Sequence, residues 1–242
     1  MEVSLAAKTI LITGGTSVLG QAFVRKALEN GAHVFFTFYT NESKANELEL
    51  AGAKAFRANL ANTSDIIKLK TWISSEISHL DGLIHNSAIV KDRTIQNLTE
   101  SEWDEILQVD LKSVYFLTKE LLRLLLKKER SKILTIISRV GLRGGFGQAN
   151  YAAAKGGLIA LTKSLAKELG KRKILVNGLN PGFLKSKMTA ELPKEVFQMN
   201  QQSSVLSEIS DPDEVADFMV YLMSDRVKHA SGQIFHYESR ST

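Results

Sequence analysis

The stretch Thr9-Ile-Leu-Ile-Thr13-Gly14-Gly15-Thr16-Ser17-Val18-Leu19-Gly20 decides the fold. Its apolar start reads as a buried strand, and the glycines after it read as a sharp turn opening a helix. Backbone N–H groups at such a turn face a pyrophosphate, and glycine permits both the bend and a close approach. A glycine pattern alone is a weak signal, because an ordinary tight turn has the same composition. Its place in the first βα unit strengthens the binding reading.

Working outward, apolar runs of strand length recur at Thr9 to Ile12, His33 to Phe38, Ala53 to Arg57 and Gly82 to His85. Three more follow at Ile133 to Ile137, Leu175 to Leu179 and Gln233 to Tyr237. Longer amphipathic stretches separate them, the pattern of βαβ units in a parallel sheet. Gly20 to Asn30 closes on Gly31 as a C-terminal cap. Ser101 to Lys128 puts Trp103, Ile106, Val114, Leu117, Leu121 and Leu124 at helical spacing, with Thr99 and Glu102 at capping-box spacing ahead. Asp211, Pro212 and Glu214 start another helix through Val215 to Leu222. Only the segment at about 183–210 lacks a clear period, and it reads as a mobile substrate lid. No repeat, low-complexity tract or linker divides the chain. The expectation is an α/β protein: a single doubly wound, Rossmann-type domain over residues 1–242 with a mostly seven-stranded parallel sheet.

Composition narrows the function classes. The chain has 242 residues, 44% hydrophobic, and no cysteine, which excludes disulfides, thiolate metal sites and a cysteine nucleophile. No metal site is expected. Met1 to Lys8 lack the basic start and apolar run of a signal peptide, and Arg123 interrupts the apolar run from Leu121 to Leu126. A cytoplasmic protein without a membrane segment is expected. The net charge of +5 favours an acidic partner or substrate, but the basic residues are dispersed and no nucleic-acid motif accompanies them.

The candidate chemistry lies in Tyr151-Ala-Ala-Ala-Lys155, where a spacing of four puts both functional side chains on one helix face. An ammonium beside a phenol favours the phenolate and so tunes it for acid/base work. Ser138 ends the fifth apolar run ahead of a glycine-rich loop, Gly141 to Gly147, that leads into Tyr151. Open α/β sheets bind ligands at that end of their strands. After the second run, Phe36-Thr37-Phe38-Tyr39-Thr40-Asn41 contains no acid before Glu42. An acid there would hold the ribose hydroxyls of NAD, so its absence argues for NADP(H). An arginine in the loop or just after this strand is missing as well.

Here the chain resembles the short-chain dehydrogenase/reductases over nearly its whole length, and the 3-oxoacyl-[acyl-carrier-protein] reductases most. The likeness is carried by Gly147-Gln-Ala-Asn-Tyr-Ala-Ala-Ala-Lys-Gly-Gly-Leu, Lys163-Ser-Leu-Ala-Lys-Glu-Leu, Val176-Asn and Asn180-Pro-Gly-Phe183. It implies that Tyr151 donates the proton, Lys155 holds the nicotinamide ribose and tunes Tyr151, and Ser138 bonds the substrate carbonyl. It further implies cofactor binding by Gly14, Thr16, Ser17, Leu19, Thr37, Asn59, Leu60, Asn86, Ser87, Pro181 and Gly182, and a contact of Gln148 with the acyl group. Asp110 takes the place of the catalytic asparagine, whose main-chain carbonyl holds a water linked to the lysine. The partner implied is an acyl carrier protein bearing a 3-oxoacyl chain, met by Arg172 with Lys128 or Arg130, and the assembly implied is a homotetramer.

The chain also departs from that family. Val18 stands at a family glycine, where it should either hold a strained conformation or push the loop outward and weaken pyrophosphate contact. His85-Asn86-Ser87-Ala88 replaces Asn-Asn-Ala-Gly, and Glu238-Ser239-Arg240 replaces Asp-Gly-Gly. These departures point to a specialised paralogue, for instance in polyketide or polyene synthesis. Two other readings stay open: an oxidoreductase of a free small ketone or alcohol, and a dinucleotide-binding regulator without turnover.

Overall fold

The computed structural model describes residues 3–185, 189 and 194–240. Seven strands form one sheet: β1 Thr9–Ile12, β2 His33–Phe38, β3 Lys54–Arg57, β4 Gly82–His85, β5 Lys132–Ile136, β6 Leu175–Asn180 and β7 Ile234–His236. All pair in parallel, in the order β3-β2-β1-β4-β5-β6-β7. The order reverses between β1 and β4. That point is where an open α/β sheet leaves a crevice.

Strand residues alternate between two cores. Ile10 and Ile12 face one with Phe36, Leu134 and Leu179, while Leu11 faces the other with Phe35, Leu83 and Val176. A strand buried on both sides needs apolar residues at every position, so the runs look continuous in sequence. The first core is closed by α1 Val18–Glu29, α2 Glu42–Leu50 and, near the end of the chain, α9 Pro212–Met223. The second is closed by α3 Thr63–Glu76 and by α5 Ser113–Leu125. Among the described residues, the remaining α-helices are α4 Glu100–Leu107, α6 Val140–Arg143, α7 Ala149–Leu169 and α8 Lys194–Gln202. The start signals behave as their chemistry requires. Thr99 and Glu102 form the reciprocal capping box of α4, and Asp211 caps α9 with proline in its first turn.

Two expectations change. The helix expected over Ser101 to Lys128 is divided by a π turn at Gln108–Lys112. The step from Ile106 to Val114 is eight residues, more than the roughly 7.2 of two ideal turns, and the wider turn absorbs the excess. The aperiodic segment at about 183–210 contains α8, whose Phe197 packs edge-on against Phe183 with ring centroids 6.3 Å apart. Residues 186–188 and 190–193 of that segment lie outside the described residues.

His85, at the end of β4, is buried and its Nε2 lies 2.8 Å from Thr118 Oγ1 on α5. Burial lowers its pKa from the ordinary 6.5 to about 3. The unfolded chain therefore binds a proton in this window that the fold refuses. Stability is full above the unfolded value and falls as pH drops toward the folded one, by about 1.4 kcal/mol per pH unit. His85→Asn, the residue of the resembled family, should lose this dependence. Urea unfolding of both proteins between about pH 7 and pH 4 checks it. A difference in unfolding free energy that does not change with pH would assign the proton uptake elsewhere.

Candidate functional site

The turns after β1 and β4 meet over the crevice and are bonded to each other. Thr13 Oγ1 accepts the backbone N–H of Asn86 at 3.0 Å and of Ser87 at 3.1 Å. The Asn86 amide nitrogen donates to the Thr13 and Gly14 carbonyls and to Ser17 Oγ, at 3.1, 3.0 and 3.0 Å. Gly14 sits at φ +66°, and a Cβ there would come within 2.9 Å of Ser87 Oγ, so both conformation and space call for glycine. Its N–H donates to Thr37 Oγ1 at 3.3 Å, which brings the end of β2 into the same assembly. A groove of about 640 Å³ runs along these turns, within the range of small-molecule sites. Gly14, Thr16, Ser17, Thr37, Asn59, Leu60, Asn86 and Ser87 all line it.

A helix N-terminus among neutral hydroxyls and amides fits a pyrophosphate and ribose. Leu19 does not line this groove. Its side chain is buried in the core behind α1, so any contact it makes with a ligand is through backbone.

Val18 corrects the expectation of strain. It is the first residue of α1, it is not among the residues with positive φ, and it is 41% exposed. Ser17 caps the helix by accepting the Gly20 N–H, at 3.1 Å, so the backbone at Val18 is ordinary helix that any L residue adopts.

On the other side of the crevice, α7 carries Tyr151 and Lys155. Lys155 is buried, and its Nζ donates to the Ile136 carbonyl at the end of β5, at 3.3 Å. It lies 3.4 Å from Asp110 Oδ2 and 5.3 Å from the centre of the Tyr151 ring. Asp110 comes from the π turn and is fully buried, its Oδ1 accepting the Ile89 N–H at 2.9 Å. Its Oδ2 makes no aligned hydrogen bond, so the pair is held by charge. Burial raises the Asp110 pKa above the ordinary carboxylate value, against the opposing pull of Lys155 and the Ile89 N–H. Ser138 lies two residues beyond β5, and its Oγ accepts the Val140 N–H at 3.2 Å. The α6 helix that follows packs directly on α7. A Cβ on Gly141 would lie 2.5 Å from the Lys155 carbonyl carbon. Ser138 and the Tyr151–Lys155 turn are thus brought to one end of the sheet.

Other expected residues have different surroundings. The Gln148 amide donates to both Asp92 carboxylate oxygens, at 3.1 and 3.0 Å. Pro181 and Gly182 follow β6, where Ile137 N–H bonds the Leu179 carbonyl, so they adjoin the end of β5. Arg172 lies past the far end of α7, a helix of 21 residues and hence about 30 Å. Lys128 and Arg130 precede β5, also at the end of the sheet away from Tyr151.

Some organising residues escaped the sequence reading. Thr13 carries no sequence signal beyond its place at the start of the glycine turn. Buried Asn150 accepts the Tyr151 N–H at 2.8 Å and donates to the Lys91 carbonyl at 3.1 Å, fixing the start of α7. The Glu238-Ser239-Arg240 departure is a polar lock. Glu238 accepts from Asn180 and from Arg240, which reaches Asn200 of α8 at 3.1 Å and covers the Phe183 ring. Among the described residues, no group of three or more His, Asp or Glu side chains could hold a metal ion, and no helix is long and apolar enough to cross a membrane.

This combination of crevice, glycine turn and Ser-Tyr-Lys end defines a dinucleotide-dependent oxidoreductase of doubly wound α/β type. A family model described as enoyl-(acyl carrier protein) reductase matches residues 14–239. The chain is 34% identical to the 3-oxoacyl-[acyl-carrier-protein] reductase FabG of Aquifex aeolicus, over 98% of both chains. It is 33% identical to the reductase of that name from Escherichia coli, over 95% of both. Among solved structures, a short-chain dehydrogenase/reductase from Serratia marcescens superposes with a TM-score of 0.89 at 26% identity, over 98% of each chain. The RhlG/NADP active-site complex of Pseudomonas aeruginosa gives 0.91 at 25% identity, over 99% of this chain and 98% of that one. The chain belongs to the short-chain dehydrogenase/reductase family, and it is an oxidoreductase acting on a ketone–alcohol pair with a nicotinamide dinucleotide.

Two outcomes follow from this geometry. Val18→Gly should leave dinucleotide affinity unchanged in isothermal titration and lower unfolding free energy by roughly a few tenths of a kcal/mol. A tenfold gain in affinity would show that the valine obstructs the loop. Asp110→Asn should remove an acidic limb from the pH–rate profile. As pH falls through the raised Asp110 pKa, the carboxylate protonates and Lys155 loses its counter-ion. An identical acidic limb in both proteins would exclude Asp110 as its source.

Proposed function

We propose that the chain is an NADPH-dependent 3-oxoacyl-[acyl-carrier-protein] reductase of the cytoplasm, a homotetramer serving fatty acid synthesis or a specialised polyketide or polyene pathway. The observation that carries this reading is the buried Lys155, held between the Ile136 carbonyl and Asp110 beside the Tyr151 ring. The bound nicotinamide supplies the hydride that reduces the substrate carbonyl. Tyr151 gives its phenolic proton to the carbonyl oxygen, and the adjacent ammonium lowers the cost of the phenolate left behind. Ser138 already accepts a bond from Val140, which leaves its own proton to donate to the same oxygen. Gly14, Thr16, Ser17 and Ser87 would hold the phosphates, with Leu19 contributing only backbone. Thr37, Asn59, Leu60 and Asn86 would flank the adenosine, and Lys155, Pro181 and Gly182 the nicotinamide ribose and ring. Gln148 borders the acyl group.

A second reading, reduction of a free small ketone, draws support from the position of the basic residues. A carrier seated on Arg172 stands a full α7 length from Tyr151 of the same chain. Oxidation of NADPH with acetoacetyl-carrier protein, beside a free 3-ketoester, separates the two. Preference for the carrier substrate supports the first, and equal or better turnover of the free ester supports the second. In either case Tyr151→Phe should cut the rate by about two to four orders of magnitude while leaving cofactor affinity intact. Near-normal reduction by this variant would remove Tyr151 from the chemistry.

A further inference from the structure

The loop after β2 raises a problem that its sequence does not solve. Phe38, Tyr39, Thr40 and Asn41 line the groove and carry no charge. A neutral loop does not repel a 2′-phosphate, yet a phosphate held in preference to a hydroxyl needs a cation. The neighbouring strand brings one. Arg57, the last residue of β3, is in register with Phe38, and its Nε donates to the Tyr39 carbonyl at 3.1 Å. That bond pins the guanidinium beside the loop and leaves four of its N–H groups for another acceptor. Arg57 is exposed, and among the described residues no carboxylate pairs with it. The other cations of this corner are engaged: Lys44 lies 2.8 Å and Arg25 3.7 Å from Glu47. Lys54, also on β3, pairs with Glu76.

We propose that Arg57 reads the 2′-phosphate, so that cofactor choice rests on an arginine delivered across the sheet from β3 to the β2 loop. The inference depends on the NADPH reading above. A planar fork already fixed at Nε presents its remaining donors in a set direction, which suits a phosphate better than a lysine on the same stem. The other use of a charged residue on an edge strand is to discourage strand pairing between molecules, and that role is indifferent to ligand.

The test is isothermal titration with adenosine 2′,5′-bisphosphate and with 5′-AMP, which share every group except the 2′-phosphate. The wild-type protein should bind the bisphosphate more tightly. Arg57→Gln should weaken the bisphosphate by on the order of ten- to a hundredfold and leave 5′-AMP unchanged, with Arg57→Lys in between. Equal affinity of the wild type for both ligands would overturn the NADPH reading, and this inference with it. A wild-type preference that survives in Arg57→Gln would overturn the role of Arg57 alone. Loss of both ligands would show that Arg57 supports the loop and does not read the phosphate, and would overturn it too.

Discussion

β1 and β4 lie side by side, but the chain leaves them toward opposite faces of the sheet. α1 packs on one core, and α5, after α4 and the π turn, on the other. Such a parting would expose two strand ends with unpaired backbone groups. Here it is closed by one small polar set, the Thr13 hydroxyl and the Asn86 amide, which join the two turns through bonds of 3.0–3.1 Å. Each bond contributes only about 1 kcal/mol net, but leaving such buried groups unmade costs about 1–3 kcal/mol apiece. The tie therefore holds the turns in one arrangement. The groove, the exposed start of α1 and the placement of Thr37 all depend on it.

The Tyr151 end of the crevice depends on a costlier device. Lys155 and Asp110 are both buried, and each ion alone would forfeit several kcal/mol of hydration. They are tolerable only as a pair with further hydrogen bonds, which Ile136 and Ile89 provide. The π turn delivers Asp110 to this position, since it is inserted where the α4–α5 face would otherwise drift out of register. A buried pair with one oxygen left without a hydrogen bond adds little stability of its own.

The strands, the Gly31 end of α1, the caps of α4 and α9, and the glycine turn after β1 were legible in the sequence because each is set by residues within a few positions of one another. Asp211 caps α9 by accepting the N–H of Asp213, two residues on, and the Thr99–Glu102 box closes on itself. Strand ends moved by a residue or two for the opposite reason. Lys132 extends β5 because its ammonium finds the carbonyls of Leu222, Ser224 and Val227, some ninety positions away. The Val18 expectation failed on local grounds. A glycine in the resembled family suggested positive φ, whereas Ser17 caps the helix one residue earlier and places Val18 inside it.

By itself the sequence determined the doubly wound sheet and the shared helix face of Tyr151 and Lys155, because apolar periodicity and a Tyr–Lys spacing of four translate directly into faces and neighbours. It also determined that the loop after β2 carries no acid before Glu42. Only the tertiary structure decided which groups converge from distant segments. It brought Asp110 beneath Lys155, Asn86 across to Gly14, Arg57 beside Tyr39, and the Glu238–Arg240 tail onto α8. These contacts cross between strands and layers, where separation along the chain carries no information about distance in space. Strand order and side-chain packing set them, and both exist only once the sheet has assembled.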